Sequence, residues 1–257
     1  MIILIVKTIM FVMNMWLPLL FLCTSVFCSG NIYAQTDIED SISFQAALSN
    51  SISVYYAQAA DQSKLLNGNL YPEYQFPFRE GSPFFISDKF TRGSLVYDNM
   101  VFENTGLIYD DLRQYLISKN NVLRIQLVNE RVSSFTIYNH HFTRMVADNE
   151  HRGILKTGYY ELLYPGKTEV LKFTVKKIRE VISHEEGVVL YVDSTDKYYI
   201  KMKASYIEVK SISVLLDVLD SHRNEIQRFV KKNKLNFRKD KEGTIVQVAA
   251  YYDQLTK

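Results

Sequence analysis

The middle of this chain constrains its fold most. Between residues 94 and 209, short alternating or β-branched and aromatic runs recur, and Asn, Asp, Gly or Pro punctuates the gaps. Ser94-Leu95-Val96-Tyr97 stops at Asp98-Asn99. Met100-Val101-Phe102 is followed by Asn104-Thr105-Gly106, and Leu107-Ile108-Tyr109 by Asp110-Asp111. Residues 113–117 and 123–127 flank Asn120-Asn121, and Asn129-Glu130-Arg131 leads into 132–138. After a His-rich loop, 158–164 and 169–175 flank Pro165-Gly166, a strong turn pair. Residues 188–192 and 198–203 flank Asp193-Ser194-Thr195-Asp196, and 205–209 is a final run. Strands spaced about 8–12 residues apart with turn signals between them indicate an antiparallel meander.

The flanks read differently. Ile42, Ala46, Leu48, Ile52, Tyr55, Tyr56 and Ala59 fit a helical face over 37–64, closed by a turn at Asn67-Gly68-Asn69. Pro72, Pro77 and Pro83 then forbid a helix through an aromatic stretch at 70–92. Past residue 210, Ser211 is placed to cap a helix carrying Val214, Leu215, Val218 and Leu219. Ser221 is placed to cap another, carrying Ile226, Phe229 and Val230. A last helix is expected over 242–255, with Ile245, Val248, Ala249 and Tyr252 inward. Strands followed by helices make the expected class α+β: a curved antiparallel meander of about eight to ten strands, with an N-terminal helix and C-terminal helices packed on it.

Residues 1–34 hold one charged side chain, Lys7, then an apolar run over 9–27 and the small residue Ala34. A basic start, an apolar stretch and a small residue before the cut mark a secretory signal peptide, expected to be cleaved after Ala34. Pro18 lies mid-run and no basic cluster follows, which disfavours a permanent anchor. Both cysteines, Cys23 and Cys28, fall in this segment behind the bulky Leu22 and Phe27, a poor setting for lipidation. The mature chain, 35–257, is then expected to be one periplasmic or extracellular domain without disulfides or thiol chemistry, and without a stable membrane span. Its 29 basic residues nearly balance 28 acidic ones, which argues against a nucleic-acid partner. Paired tyrosines (Tyr55-Tyr56, Tyr159-Tyr160, Tyr198-Tyr199, Tyr251-Tyr252) would place one ring inside and one outside wherever they lie in strands.

Candidate chemistry is sparse, and no catalytic residue is identified. Pro165-Gly166-Lys167-Thr168 resembles the end of a phosphate loop, but Glu161 stands where that motif needs glycine, and a strand rather than a helix follows. His141 and His151 are the candidate metal pair, with Asp148 or Glu150 to join them. Adjacent His140 points to the opposite face of a strand, and a turn with surface histidines is the simpler reading. Asp110-Asp111, Asp193/Asp196 and Glu185-Glu186 are acidic pairs of the kind glycoside hydrolysis uses, yet each sits at an expected turn that Asp or Glu would serve anyway. Residues 223–241 carry eight basic and two acidic side chains, more simply a solvated helix end than a polyanion site. No cofactor is expected.

The segments Gly81-Ser82-Pro83-Phe84-Phe85 with Asp88, Gly93-Ser94-Leu95-Val96-Tyr97-Asp98, Leu107-Ile108-Tyr109-Asp110, Thr157-Gly158-Tyr159-Tyr160-Glu161-Leu162-Leu163-Tyr164 and Ala250-Tyr251-Tyr252-Asp253-Gln254-Leu255 resemble an uncharacterised family of exported proteins of the Bacteroidota. The resemblance implies a bacterial envelope location and assigns no residue a role. The reading that follows is a non-catalytic module for an apolar ligand, such as a lipid, or for an envelope protein. The alternative is a glycan or peptidoglycan hydrolase working through paired carboxylates.

Overall fold

The computed structural model describes Leu65 and residues 67–120, 123–147, 154–185, 187–203 and 205–256. The expected signal peptide and N-terminal helix lie outside these residues. The chain divides into two compact units, and every described residue belongs to the second, Tyr56–Lys257.

Twelve strands join in one sheet, more than the eight to ten expected. In chain order they are β1 (Asn69–Leu70), β2 (Phe78–Glu80), β3 (Thr91–Tyr97), β4 (Met100–Asp110), β5 (Tyr115–Asn120), β6 (Leu123–Gln126), β7 (Val132–Ile137), β8 (His140–Met145), β9 (Gly158–Tyr164), β10 (Val170–Ser183), β11 (Gly187–Met202) and β12 (Ser205–Glu208). The order across the sheet is β1-β6-β5-β4-β3-β7-β8-β9-β10-β11-β12, antiparallel throughout, and β2 adds to β11 in parallel. β3 is thus the hub, with one run of hairpins growing from each side.

Local chemistry explains the hairpins. Asp98-Asn99 and Tyr138-Asn139 both adopt positive φ at their two central residues, as tight two-residue hairpins require. The second turn puts His140 and His141, expected in a loop, inside β8. Asn104-Thr105-Gly106 is not a turn. Asn104 takes φ 52°, the register with β3 slips between Gly93 and Leu95, and β4 continues through the irregularity. Likewise Asp193–Asp196 lie within β11. Arg179 pairs with Asp193 at 2.7 Å and the Thr174 hydroxyl donates to Asp196 at 2.8 Å, so cross-strand partners engage carboxylates that the sequence assigned to a turn. β10 and β11 consequently form one hairpin paired from Val170↔Ile200 to Ser183↔Gly187.

The sheet curls tightly. Tyr109 of β4 and Tyr159 of β9 are four strand steps apart, about 19 Å in a flat sheet, yet their ring centres lie 5.8 Å apart. Phe135 and Phe142 complete this core, stacked at 4.8 Å. A second cluster on the convex side holds Tyr160, Phe173 and Tyr199. Both rings of Tyr159-Tyr160 and of Tyr198-Tyr199 are therefore buried, against the one-in, one-out expectation, because this part of the sheet is covered on both faces. Tyr251-Tyr252 lies on a helix.

Three helices follow: α1 (Ile212–Val218), α2 (Arg223–Lys232) and α3 (Lys241–Leu255). Ser211 caps α1 by accepting from the Val214 amide, as expected. Ser221 does not cap α2. It falls in the 3-10 turn Asp220–His222, and His222 occupies the cap position without a side-chain bond. Leu215, Ile226, Ile245, Val248 and Ala249 pack on Val170, Tyr198 and Ile200. The helices thus cover the base of the β10–β11 hairpin on its concave side.

Residues 71–90 form a strap between distant strands. The Tyr71 amide donates to the Arg124 carbonyl, β2 joins β11, and the Phe85 amide donates to the Tyr109 carbonyl. At the sharpest point Gly81 has φ +77°, and a Cβ there would stand 2.2 Å from the Val192 carbonyl oxygen. Only glycine meets both demands. Gly81→Ala is expected to destabilise the protein by about 1–3 kcal/mol in denaturant unfolding, and a loss under about 0.5 kcal/mol, the range of a neutral surface change, would show that the strap does not need this contact.

Candidate functional site

Two adjacent carboxylates fix the strap and the hairpin. Asp110, wholly buried at the end of β4, accepts from the Tyr71 hydroxyl at 2.7 Å, the Tyr74 hydroxyl at 2.9 Å and the Arg113 amide at 3.0 Å. The Arg113 guanidinium lies 3.8 Å from the centre of the Tyr74 ring. Burial, and then Asp110, push both tyrosine hydroxyls well above their ordinary pKa, so they stay protonated donors.

Asp111 faces the other way. Gln114 Nε2 donates to it at 3.0 Å, and Lys176 Nζ of β10 stands 3.6 Å away. Burial raises the Asp111 carboxyl to about 6 against the pull of Lys176. Burial also lowers the Lys176 ammonium, with Asp111 opposing. Lys176 additionally donates to the strap carbonyls of Ser82 and Phe84, at 3.0 and 2.8 Å. Gln114 Oε1 accepts the Tyr159 amide at 2.9 Å. That amide belongs to β9 where it parts from β10, since the two strands pair only at Val170–Lys172. The β4–β5 turn therefore plugs the gap left by the diverging strands.

A second ion cluster sits nearer the helices. Lys172 of β10 pairs with buried Glu161 at 2.6 Å and with Glu242 of α3 at 3.1 Å, and His140 also pairs with Glu161. Burial alone would lower Lys172; the two glutamates outweigh it and hold the ammonium up to about 12. On α3, Asp253 accepts from the Thr168 amide at 3.0 Å and the Tyr164 hydroxyl at 3.1 Å, fastening the expected Pro165-Gly166 hairpin turn to the helix.

The concave face of the β10–β11 hairpin is thus covered in sequence. The helices cover Val170, Tyr198 and Ile200, and the strap and plug cover Lys176. Beyond Lys176, Ile178, Ile182 and Val188 lie on the same face by strand alternation, with Leu190 and Val192 opposite β10. Ile178 is 46% exposed, Ile182 83% and Val188 62%, and Phe76 of the strap is 69% exposed beside them. Phe76, Phe78, Val188, Val189 and Leu190 line a groove of about 680 Å³ rimmed by Arg79 and Glu180. This distal half of the hairpin is the arm.

His141 lies in β8, its Nδ1 3.1 Å from the Thr136 hydroxyl, while His151, Asp148 and Glu150 lie outside the described residues. Among the described residues no three His, Cys, Asp or Glu side chains converge as a metal site would need. Asp110-Asp111 opens the β4–β5 turn, as expected, and both carboxylates are buried there. Asp193 and Asp196 occupy opposite faces of β11, Glu185 lies in the hairpin turn, and Glu186 is outside the described residues. None of the described pairs faces across a cleft. In the basic stretch, Arg223 pairs with Asp217, and the Lys241 ammonium sits 5.0 Å from the Tyr198 ring centre. Sequence reasoning missed Lys176 and the arm. The signal was present: 170–183 contains no Gly, Pro or Asn, so nothing in the sequence ends the strand expected over 169–175 at its stated limit. Among the described residues no helix is long and apolar enough to cross a membrane. No protein family, no curated protein and no solved structure matches the chain.

Because its folded value lies above the ordinary 3.8, Asp111 contributes stability that is present below about pH 4 and lost as pH rises through about 6. Relative to Asp111→Asn, the native protein is expected to lose up to about 3 kcal/mol of unfolding free energy between pH 4 and pH 7. A difference independent of pH across that window would contradict the assignment.

Proposed function

We propose that the protein is an exported, non-catalytic binding module that holds a protein partner on the arm. The observation that carries this reading is the apolar arm face, which continues the covered concave surface and then runs on bare through Ile178, Ile182, Val188 and Phe76. Contiguous apolar surface of this kind on an otherwise balanced charged protein marks an interaction site. A partner is favoured over an enclosed lipid, since the packed rings of Tyr109, Phe135, Phe142 and Tyr159 fill the curl where an acyl chain would lie. It is favoured over glycan hydrolysis, since Asp110, Asp111, Asp193 and Asp196 each have hydrogen-bond or ionic partners of their own and none is paired across a cleft.

A photo-reactive residue placed at Ile182 in the producing cell tests the reading. The expected product is one discrete adduct with a single identified protein, absent when the same group replaces exposed Asp196. The protein's own part of the adduct mass is expected to begin at Gln35. Adducts equal at both positions, or none at Ile182, would contradict it.

A further inference from the structure

We propose that the arm's partner is an extended polypeptide that adds to β10 as a further strand, with apolar and acidic residues in alternation; this rests on the arm being the binding site. Among the described residues, β10 pairs with β9 only at Val170–Lys172, and no backbone hydrogen bond outside the β10–β11 ladder reaches Lys177–Ile182. The plug and the strap occupy the gap as far as Lys176 and stop there. Six successive exposed residues thus offer an open edge, whose unpaired amides and carbonyls are satisfied by a strand laid beside them. The opposite edge of the hairpin shows that the arm accepts such a strand, because β2 already lies along β11 there.

The two faces of the arm dictate the alternation. On the concave face an added strand would lie beside Ile178, Glu180 and Ile182, with the two isoleucines next to the apolar groove and Glu180 at its rim. On the convex face it would lie beside Lys177, Arg179 and Val181, so the cations face the part of the strand nearer Lys176. Arg179 is held over the Tyr191 ring at 4.5 Å and paired with Asp193, and Lys177 stands one cross-strand step away. The visiting strand therefore needs small or branched apolar side chains on one side and carboxylates on the other. A second copy of β10 fits poorly. A two-fold antiparallel pairing keeps each face on its own side and would bring Lys177 and Arg179 of one copy against the same cations of the other.

The probe is a blocked synthetic nonapeptide alternating Ile and Glu, offered to the full chain and followed by fluorescence anisotropy and by amide hydrogen exchange. Binding is expected, with exchange slowed across 177–182. Lys177→Glu is expected to weaken it at least about tenfold, and N-methylating alternate peptide amides on the edge-facing side at least as much, because that removes the ladder and keeps every side chain. Equal binding of the N-methylated and the scrambled peptides, abolished by Val188→Asp, would overturn strand addition and leave the arm as an apolar docking site. No binding of the alternating peptide, with the cross-link at Ile182 intact, would also overturn it. So would dimerisation of the protein through β10. Absence of both peptide binding and the cross-link would instead remove the arm as a site altogether.

Discussion

The structure depends on the buried carboxylate of Asp110. A carboxylate without water around it is tolerated only when its oxygens are filled by donors, and three donors come from two places. Arg113 is local, whereas Tyr71 and Tyr74 come from the strap some forty residues earlier. The charge therefore selects one arrangement of the strap over any other, because moving either tyrosine leaves a buried anion short of a partner. Asp111, one residue on, points away from Asp110 and does the same for β10 through Lys176. Two neighbouring residues thus pin the entry to the sheet and the start of the arm to one corner.

That corner also explains why the arm can stand bare. A hairpin of this length has too little local packing to be stable alone. Here its base is held three times: by the helices on Val170 and Ile200, by the Lys172–Glu161–Glu242 cluster, and by Lys176 in the plug. The close backbone approach at Gly81 and the buried carboxyl of Asp111 both lie at the base. The distal half can then present Ile178, Ile182 and Val188 to solvent in a fixed geometry. On the proposed reading, a preformed strand edge limits the ordering cost of binding to the partner's side.

The repeated hairpins were legible because their signals are local. Asp98-Asn99, Pro165-Gly166 and the Ser211 cap follow from residues within a few positions of one another. The same local reasoning misread Asn104 as a turn and Asp193–Asp196 as a loop, where bulge geometry and cross-strand partners made strand possible. It gave Asp110-Asp111 only a turn role, because the tyrosines that satisfy Asp110 and the lysine beside Asp111 are distant in sequence. Lys176 carried no motif, and only the curl of the sheet brings it to Asp111. The absence of a breaker over 170–183 was visible, but which part of that strand would be left uncovered depends on where the helices and strap end.

The claim that one buried corner organises strap and arm together is tested most directly by hydrogen exchange of Tyr71→Phe/Tyr74→Phe beside the native protein. Removing the two hydroxyls leaves Asp110 short of donors without altering any residue of the arm. The account predicts faster exchange in the strap at 78–85 and in β10 around Lys176 alike, with α1–α3 unchanged. Faster exchange confined to the strap, with β10 as slow as before, would contradict it.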